Sequence, residues 1–119
     1  MAPAPVPDVI TWIDVGDVEA ALGIAPATAA DAAWLESCVA AAQVVAWRRR
    51  AAAGYVDDPL EVPDPGVAQG TVTYAVARYR SRGAVDGFAS FDETTGFTPT
   101  GGTWGDCLKL WGVPRMAVG

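Results

Sequence analysis

Three kinds of side chain in this 119-residue sequence have the types and spacing to do chemistry. Arg48, Arg49 and Arg50 stand in a row, and Arg78, Arg80 and Arg82 alternate; both sets are spaced to contact a phosphate backbone. Asp57 and Asp58 can offer oxygens to a cation, and Cys38 and Cys107 are two thiols. The chain contains no histidine, which removes the usual general base at neutral pH and every Ser-His or Cys-His arrangement. Adjacent acids followed by Pro59 serve more often as turn and cap residues than as a calcium loop, whose roughly six to eight oxygen ligands are not laid out here. The cysteines lack a second ligand at zinc spacing and are too few for a disulfide scaffold, so two buried or semi-buried thiols are expected. The single lysine, Lys109, follows no phosphate-cradling glycine loop. No catalytic residue, metal or cofactor is therefore assigned, and a structural role is expected in place of an enzymatic one.

The arginines have a plainer use as well. Near helix C-termini they complement the dipole and pair with acids, and a chain of net charge -6 meets general repulsion from DNA. A small helical nucleic-acid-binding regulator using Arg48, Arg49, Arg50, Arg78, Arg80 and Arg82 is the alternative function, and the weaker one. The charge is uneven: residues 1–40 carry Asp8, Asp14, Asp17, Glu19, Asp31 and Glu36 with no lysine or arginine, whereas residues 41–82 hold the six arginines against Asp57, Asp58, Glu61 and Asp64. Opposite-signed regions on one small protein suit head-to-tail self-association. Apolar types make up 51% of the sequence, which implies a folded chain with apolar surface left for a partner. Five tryptophans serve as core mass or as interface anchors.

The elements that position these residues follow from caps, stops and periodicity. Residues 1–8, rich in proline and alanine, should form a mobile arm with no signal-peptide character. Order should begin near Val9, with Val9, Ile10, Trp12 and Ile13 docking. Asp14 caps a helix over 15–22 that buries Val18, Ala21 and Leu22 and stops at Gly23. Thr28 or Asp31 caps a long helix over 29–53, whose stripe of Trp34, Leu35, Cys38, Val39, Ala42, Val45 and Ala46 is thin enough for another helix to approach closely. Trp34 and Trp47 do not share one narrow stripe, so at least one faces another helix or subunit.

Prolines break residues 55–66, and Asp64-Pro65 starts a third helix running to about residue 82, with Val67, Val72, Ala75, Val76 and Tyr79 on its buried side. Residues 84–102 have no helical period and form a long loop or a hairpin carrying Phe88, Phe91 and Phe97. Thr103 caps a short last helix to residue 110, where Trp104 and Trp111 stand a heptad apart on one face with Leu108. Residues 113–119 are a loose tail. The expected fold is mainly α, a small bundle of about four helices in a single domain over 9–112. No apolar run reaches the roughly 20 residues needed to span a bilayer.

The motifs Val15-Gly-Asp-Val-Glu-Ala-Ala-Leu-Gly23, Asp31-Ala-Ala-Trp-Leu-Glu36, Tyr55-Val-Asp-Asp-Pro59 and Tyr79-Arg-Ser-Arg-Gly83, taken in order, resemble the head-tail connector (adaptor, or head completion) proteins of tailed bacteriophages, particularly actinobacterial ones. The resemblance covers residues 9–83; the stretch from Phe88 to Phe97 follows no family motif. It implies a structural virion subunit made in the host cytoplasm that assembles into a ring, usually twelvefold, between the portal protein and a stopper or tail-joining protein. DNA would pass through the ring without specific binding, and no membrane is involved. The last helix would engage the portal through Trp104, Leu108 and Trp111. Neighbouring subunits would meet through Trp34, Trp47, Arg48, Arg49, Arg78, Arg80 and Arg82, and Phe88, Phe91 and Phe97 would lie on a loop facing the channel or tail.

Overall fold

A computed structural model describes residues 6–23, 29–81, 91–92, 96–97 and 102–112. Among these, four helices and one two-residue β-ladder form the ordered elements, the mainly helical bundle expected from the sequence. The first helix, α1, spans Val15–Leu22 and opens on a reciprocal capping box. Asp14 Oδ1 accepts from the Asp17 N–H at 2.8 Å, and Asp17 Oδ2 accepts from the Asp14 N–H at 2.9 Å, so each acid satisfies a donor that the helix itself leaves free. Gly23, at φ 70°, closes the helix. Val18 is wholly buried and Leu22 half-buried; Ala21 is exposed, because two turns can press only a narrow stripe against the bundle.

The segment before α1 docks earlier than expected. Val6 already packs against the core, and Ile10, Trp12 and Ile13 are buried, but Val9 points to solvent. Alternation accounts for exposed Val9 and Thr11 and buried Ile10 and Trp12, since extended backbone turns successive side chains to opposite sides, and Ile13 breaks the alternation just before the α1 cap. The segment is pinned at its end next to α1: Ile13 N–H donates to Gln43 Oε1 at 3.1 Å, and Trp12 Nε1 donates to the Asp58 carbonyl at 2.9 Å.

Helix α2 spans Ala29–Ala52, and the cap expected at Thr28 lies outside the described residues. Its buried line is Leu35, Cys38, Val39, Ala42 and Ala46, joined by two polar residues, Gln43 and Arg50. Helix α3, Pro65–Arg80, starts where the Asp64-Pro65 pair predicts: Asp64 Oδ1 accepts from the Val67 N–H at 2.9 Å. It is the central helix, packed on α2, α4 and α1. Its buried face is Val67, Gly70, Thr71, Tyr74 and Ala75, so Val72, Val76 and Tyr79, expected there, are only half-buried. Periodicity weighted by bulk passes over Gly70 and Thr71, which are small enough to sit at the closest crossing.

In the region expected as loop or hairpin, β1 (Phe91–Asp92) pairs antiparallel with β2 (Gly96–Phe97), Phe91 opposite Phe97. Phe88 lies outside the described residues, as do residues 1–5 of the arm, Arg82 and the 113–119 tail. Helix α4 spans Gly102–Trp111, which puts Thr103 inside its first turn and not at its cap. Among the described residues no helix is long and apolar enough to cross a membrane.

The α3–α4 crossing has no spare room. A Cβ at Gly70 would stand 2.9 Å from Leu110 Cβ and 3.0 Å from the Trp111 ring, whereas one at Gly105 on α4 would meet nothing within 4 Å. Gly70→Ala should therefore lose about 1–2 kcal/mol despite its gain in helix propensity, and Gly105→Ala should gain up to about 1 kcal/mol. Urea denaturation of the two variants checks the opposite signs.

Candidate functional site

Four of the residues assigned to partner binding, Arg49, Trp104, Leu108 and Trp111, come together between α2 and α4. At the centre is Arg50, only 6% exposed. Its position follows from register: Cys38, Ala42, Ala46 and Arg50 recur every four residues, so the guanidinium continues the line on which α2 buries small side chains. Arg50 Nε donates to Asp57 Oδ2 at 2.8 Å and Nη2 to Asp57 Oδ1 at 2.9 Å, a bidentate fork. Nη1 donates to the Trp111 carbonyl at 2.6 Å, one of the acceptors that α4 leaves free at its end, and the guanidinium lies 3.8 Å from the centre of the Tyr55 ring. The hydrogen bond to Asp57 raises Arg50 above the ordinary arginine value, against the opposing effect of burial. Gly112, at φ 110°, completes the corner; a Cβ there would stand 2.8 Å from the Tyr55 hydroxyl.

Beside this node lies an aromatic cluster. Trp104 and Trp111 share a face, as their heptad spacing predicts, with ring centroids 5.9 Å apart and nearly edge-on. That face turns inward: Tyr74 of α3 packs on Trp111 at 6.0 Å and on Trp104 at 6.3 Å. Trp111 is 1% exposed, and its Nε1 donates at 3.3 Å to Thr71 Oγ1, which itself donates to the Val67 carbonyl at 2.8 Å. The expectation that Trp111 is presented to a partner is thus corrected, since its ring belongs to the chain's own core. Trp104 and Leu108 are half-buried and retain outer surface. Arg49 stacks over Trp104 at 4.9 Å and, with Ala52, Ala53, Leu108 and Lys109, lines a groove of about 390 Å³.

The remaining expected interface residues do not join this cluster. Trp34 is half-buried, donates from Nε1 to the Tyr79 carbonyl at 3.3 Å, and has Arg78 above its ring at 5.9 Å. Trp47 packs against Trp12 at 5.7 Å. Both tryptophans therefore meet other parts of the same chain. Arg48 and Arg80 are exposed, on different helices. Side chains of Phe91 and Phe97 lie outside what is described.

Sequence reasoning missed the pairing of Arg50 with Asp57 and the part played by Tyr55. A usable signal was present: an arginine in phase with the small buried stripe, followed seven residues later by an acid in a proline-bounded loop. Asp58 acts as a turn acid, with Oδ1 accepting from the Leu60 N–H at 2.8 Å, and no cluster of three or more His, Cys, Asp or Glu able to hold a metal occurs among the described residues. Cys38 and Cys107 are both buried thiols, as expected. Burial pushes the Cys107 thiol up to about 11 and raises the Tyr74 phenol, Arg78 partly countering the latter. Such groups stay protonated at neutral pH, and the arrangement holds elements together without a poised nucleophile at Cys107.

Two consequences can be measured. Arg50→Ala strands the Asp57 carboxylate and should cost about 3–5 kcal/mol, while Arg50→Lys, which cannot make the fork and reach Trp111 together, should cost about 2 kcal/mol; thermal or urea unfolding reads both. For Cys107 the folded pKa lies above the unfolded value of 9.0, so its contribution is fully present below pH 9 and is lost as pH rises toward 11. Stability should fall over that window by at most about 2–3 kcal/mol through this thiol, and Cys107→Ala should flatten the slope in urea titrations.

Comparison with protein-family models, with curated proteins and with solved structures found no match to this chain.

Proposed function

We propose that this chain is a head-tail connector subunit of a tailed bacteriophage, working by binding and ordering and not by catalysis. In this reading, copies form a ring between the portal and a stopper or tail-joining protein in the virion, and DNA passes through without specific contacts. The observation that carries it is the order of the motifs over residues 9–83, each of which corresponds to a helix boundary or joint of the bundle. Asp14 and Gly23 bound α1, Asp31 lies in the first turn of α2, Asp57 is the joint after α2, and Ser81 ends α3. The outer surfaces of Trp104 and Leu108 on α4 are the portal-facing candidates, with Trp111 supporting them from beneath.

The nucleic-acid alternative loses support from the way the arginines are spent. Arg50 is held by Asp57 and Trp111, Arg49 stacks on Trp104 and Arg78 on Trp34. Arg48 and Arg49 on α2 and Arg80 on α3 remain exposed, too few and too divided for a continuous track along a phosphate backbone.

Electron microscopy of the purified chain mixed with the portal protein of the same phage tests the proposal. Rings seated on the portal are expected, together with no salt-sensitive shift of duplex DNA. Absence of both rings and portal association at high protein concentration would reject the connector reading, and tight, salt-dependent DNA binding abolished by Arg48→Ala with Arg80→Ala would favour the regulator.

A further inference from the structure

Two surfaces of the bundle are unlike the rest, and they are complementary. The first is the groove between the ends of α2 and α4, whose floor is Ala52, Ala53 and Leu108 and whose charged rim is Arg49 and Lys109. Asp106, the nearest acid along α4, is exposed and does not line it. The second is the edge formed where the N-terminal segment runs beside the loop after α2. There the Thr11 N–H donates to the Pro59 carbonyl at 2.8 Å and Thr11 Oγ1 to the Leu60 carbonyl at 3.2 Å, which holds residues 9–11 against 58–60. This edge carries Val9 at 58% and Leu60 at 65% exposure, and Val56, at 97%, stands in the loop that leads into it. Asp8, next to Val9 in the chain, and Asp58 and Glu61, which flank Pro59-Leu60, are all exposed.

We propose that the acidic apolar edge of one copy docks in the cation-rimmed groove of the next. The inference rests on the connector reading in taking another copy of this chain as the occupant. Apolar side chains standing out on a folded surface mark a binding edge, and here the groove that matches them in character matches them also in sign. Because edge and groove are different patches, the contact is heterologous: a joined pair keeps one free edge and one free groove, so further copies can add until the rotation between them closes a ring. The charges set partner choice and register, and burial of Val9, Val56 and Leu60 against Ala52, Ala53 and Leu108 supplies the attraction.

Charge exchange tests the contact. Arg49→Glu with Lys109→Glu reverses the groove, and Asp8→Lys with Glu61→Lys reverses the edge while leaving the Asp58 turn intact. Sedimentation velocity should show wild-type chain associating, and each double variant at least tenfold weaker. An equimolar mixture of the two variants should recover association, because each reversed patch then finds its complement. Leu60→Ser, at an exposed position that does not support the core, should also weaken association about tenfold with an unchanged circular dichroism spectrum. Wild-type chain that stays monomeric up to about 1 mM, double variants that associate like wild type, or a mixture that fails to recover would each overturn the contact. The portal assay separates the two readings. Normal rings from both double variants would remove this contact and leave the connector reading standing; charge-dependent oligomers in solution with no portal rings would do the reverse.

Discussion

The Arg50 guanidinium is the constraint on which most of this fold depends. Its N–H groups reach an acid from the loop after α2 and the free carbonyl at the end of α4, and its plane lies over Tyr55 of that same loop, so one side chain ties the loop and the end of α4 to α2. Through Asp57 the tie extends further, because the neighbouring Asp58 carbonyl receives Trp12 and the Pro59 carbonyl receives Thr11. The N-terminal segment thus hangs on the same loop. A charged pair at 7% side-chain exposure is costly to desolvate and stabilises the fold only when its geometry and remaining hydrogen bonds are good, as they are here. What it contributes beyond energy is uniqueness: an apolar residue at position 50 would tolerate many orientations of α4, whereas the fork accepts few.

The second constraint is the thinness of the surfaces that meet. Cys38, Ala42 and Ala46 on α2 and Gly70 and Thr71 on α3 let the helices come close, and the large rings of Tyr74, Trp104 and Trp111 fill what the small residues leave. Thr71 shows why a polar residue can lie at this crossing. Its hydroxyl donates to the Val67 carbonyl one turn back and accepts from Trp111, so both the hydroxyl and the Trp111 Nε1 are matched.

Helix boundaries were legible in the sequence because they are local. Asp14, Gly23 and Asp64-Pro65 act within one turn of themselves, and no distant residue can change what they offer the backbone. Facing was legible where side-chain bulk reports burial, as for Val18, Leu35 and Val67. It was not legible at Gly70 and Thr71, where closeness of approach decides, nor for Trp111, where the same heptad face is equally consistent with an outward or an inward surface. The candidate site divided along the same line. Trp104 and Trp111 were paired correctly from spacing, but the partner that covers them, Tyr74, belongs to another helix. The arginine triplet looked uniform from spacing, yet its members lie at successive angles around α2: Arg48 faces solvent, Arg49 reaches Trp104 and Arg50 enters the core.

That division has a consequence for the outer surface. Residues 41–82 carry more arginine than acid, but the excess is not displayed in one place: Arg50 is neutralised by Asp57, and Arg49 and Arg78 are laid against indole rings. The acids of the first third, by contrast, include exposed Asp8, Asp14, Asp17 and Glu36, and Asp58, Glu61, Asp64 and Asp106 are exposed as well. The surface is therefore more uniformly acidic than the order of charges along the chain implies, with cations left as small local rims such as Arg49 and Lys109. For a chain proposed to surround passing DNA, that distribution suits both demands at once. A broad acidic surface keeps a polyanion from adhering, while a cationic rim a few ångströms across acts only at contact distance, where screening by salt leaves an attraction between adjoining subunits intact.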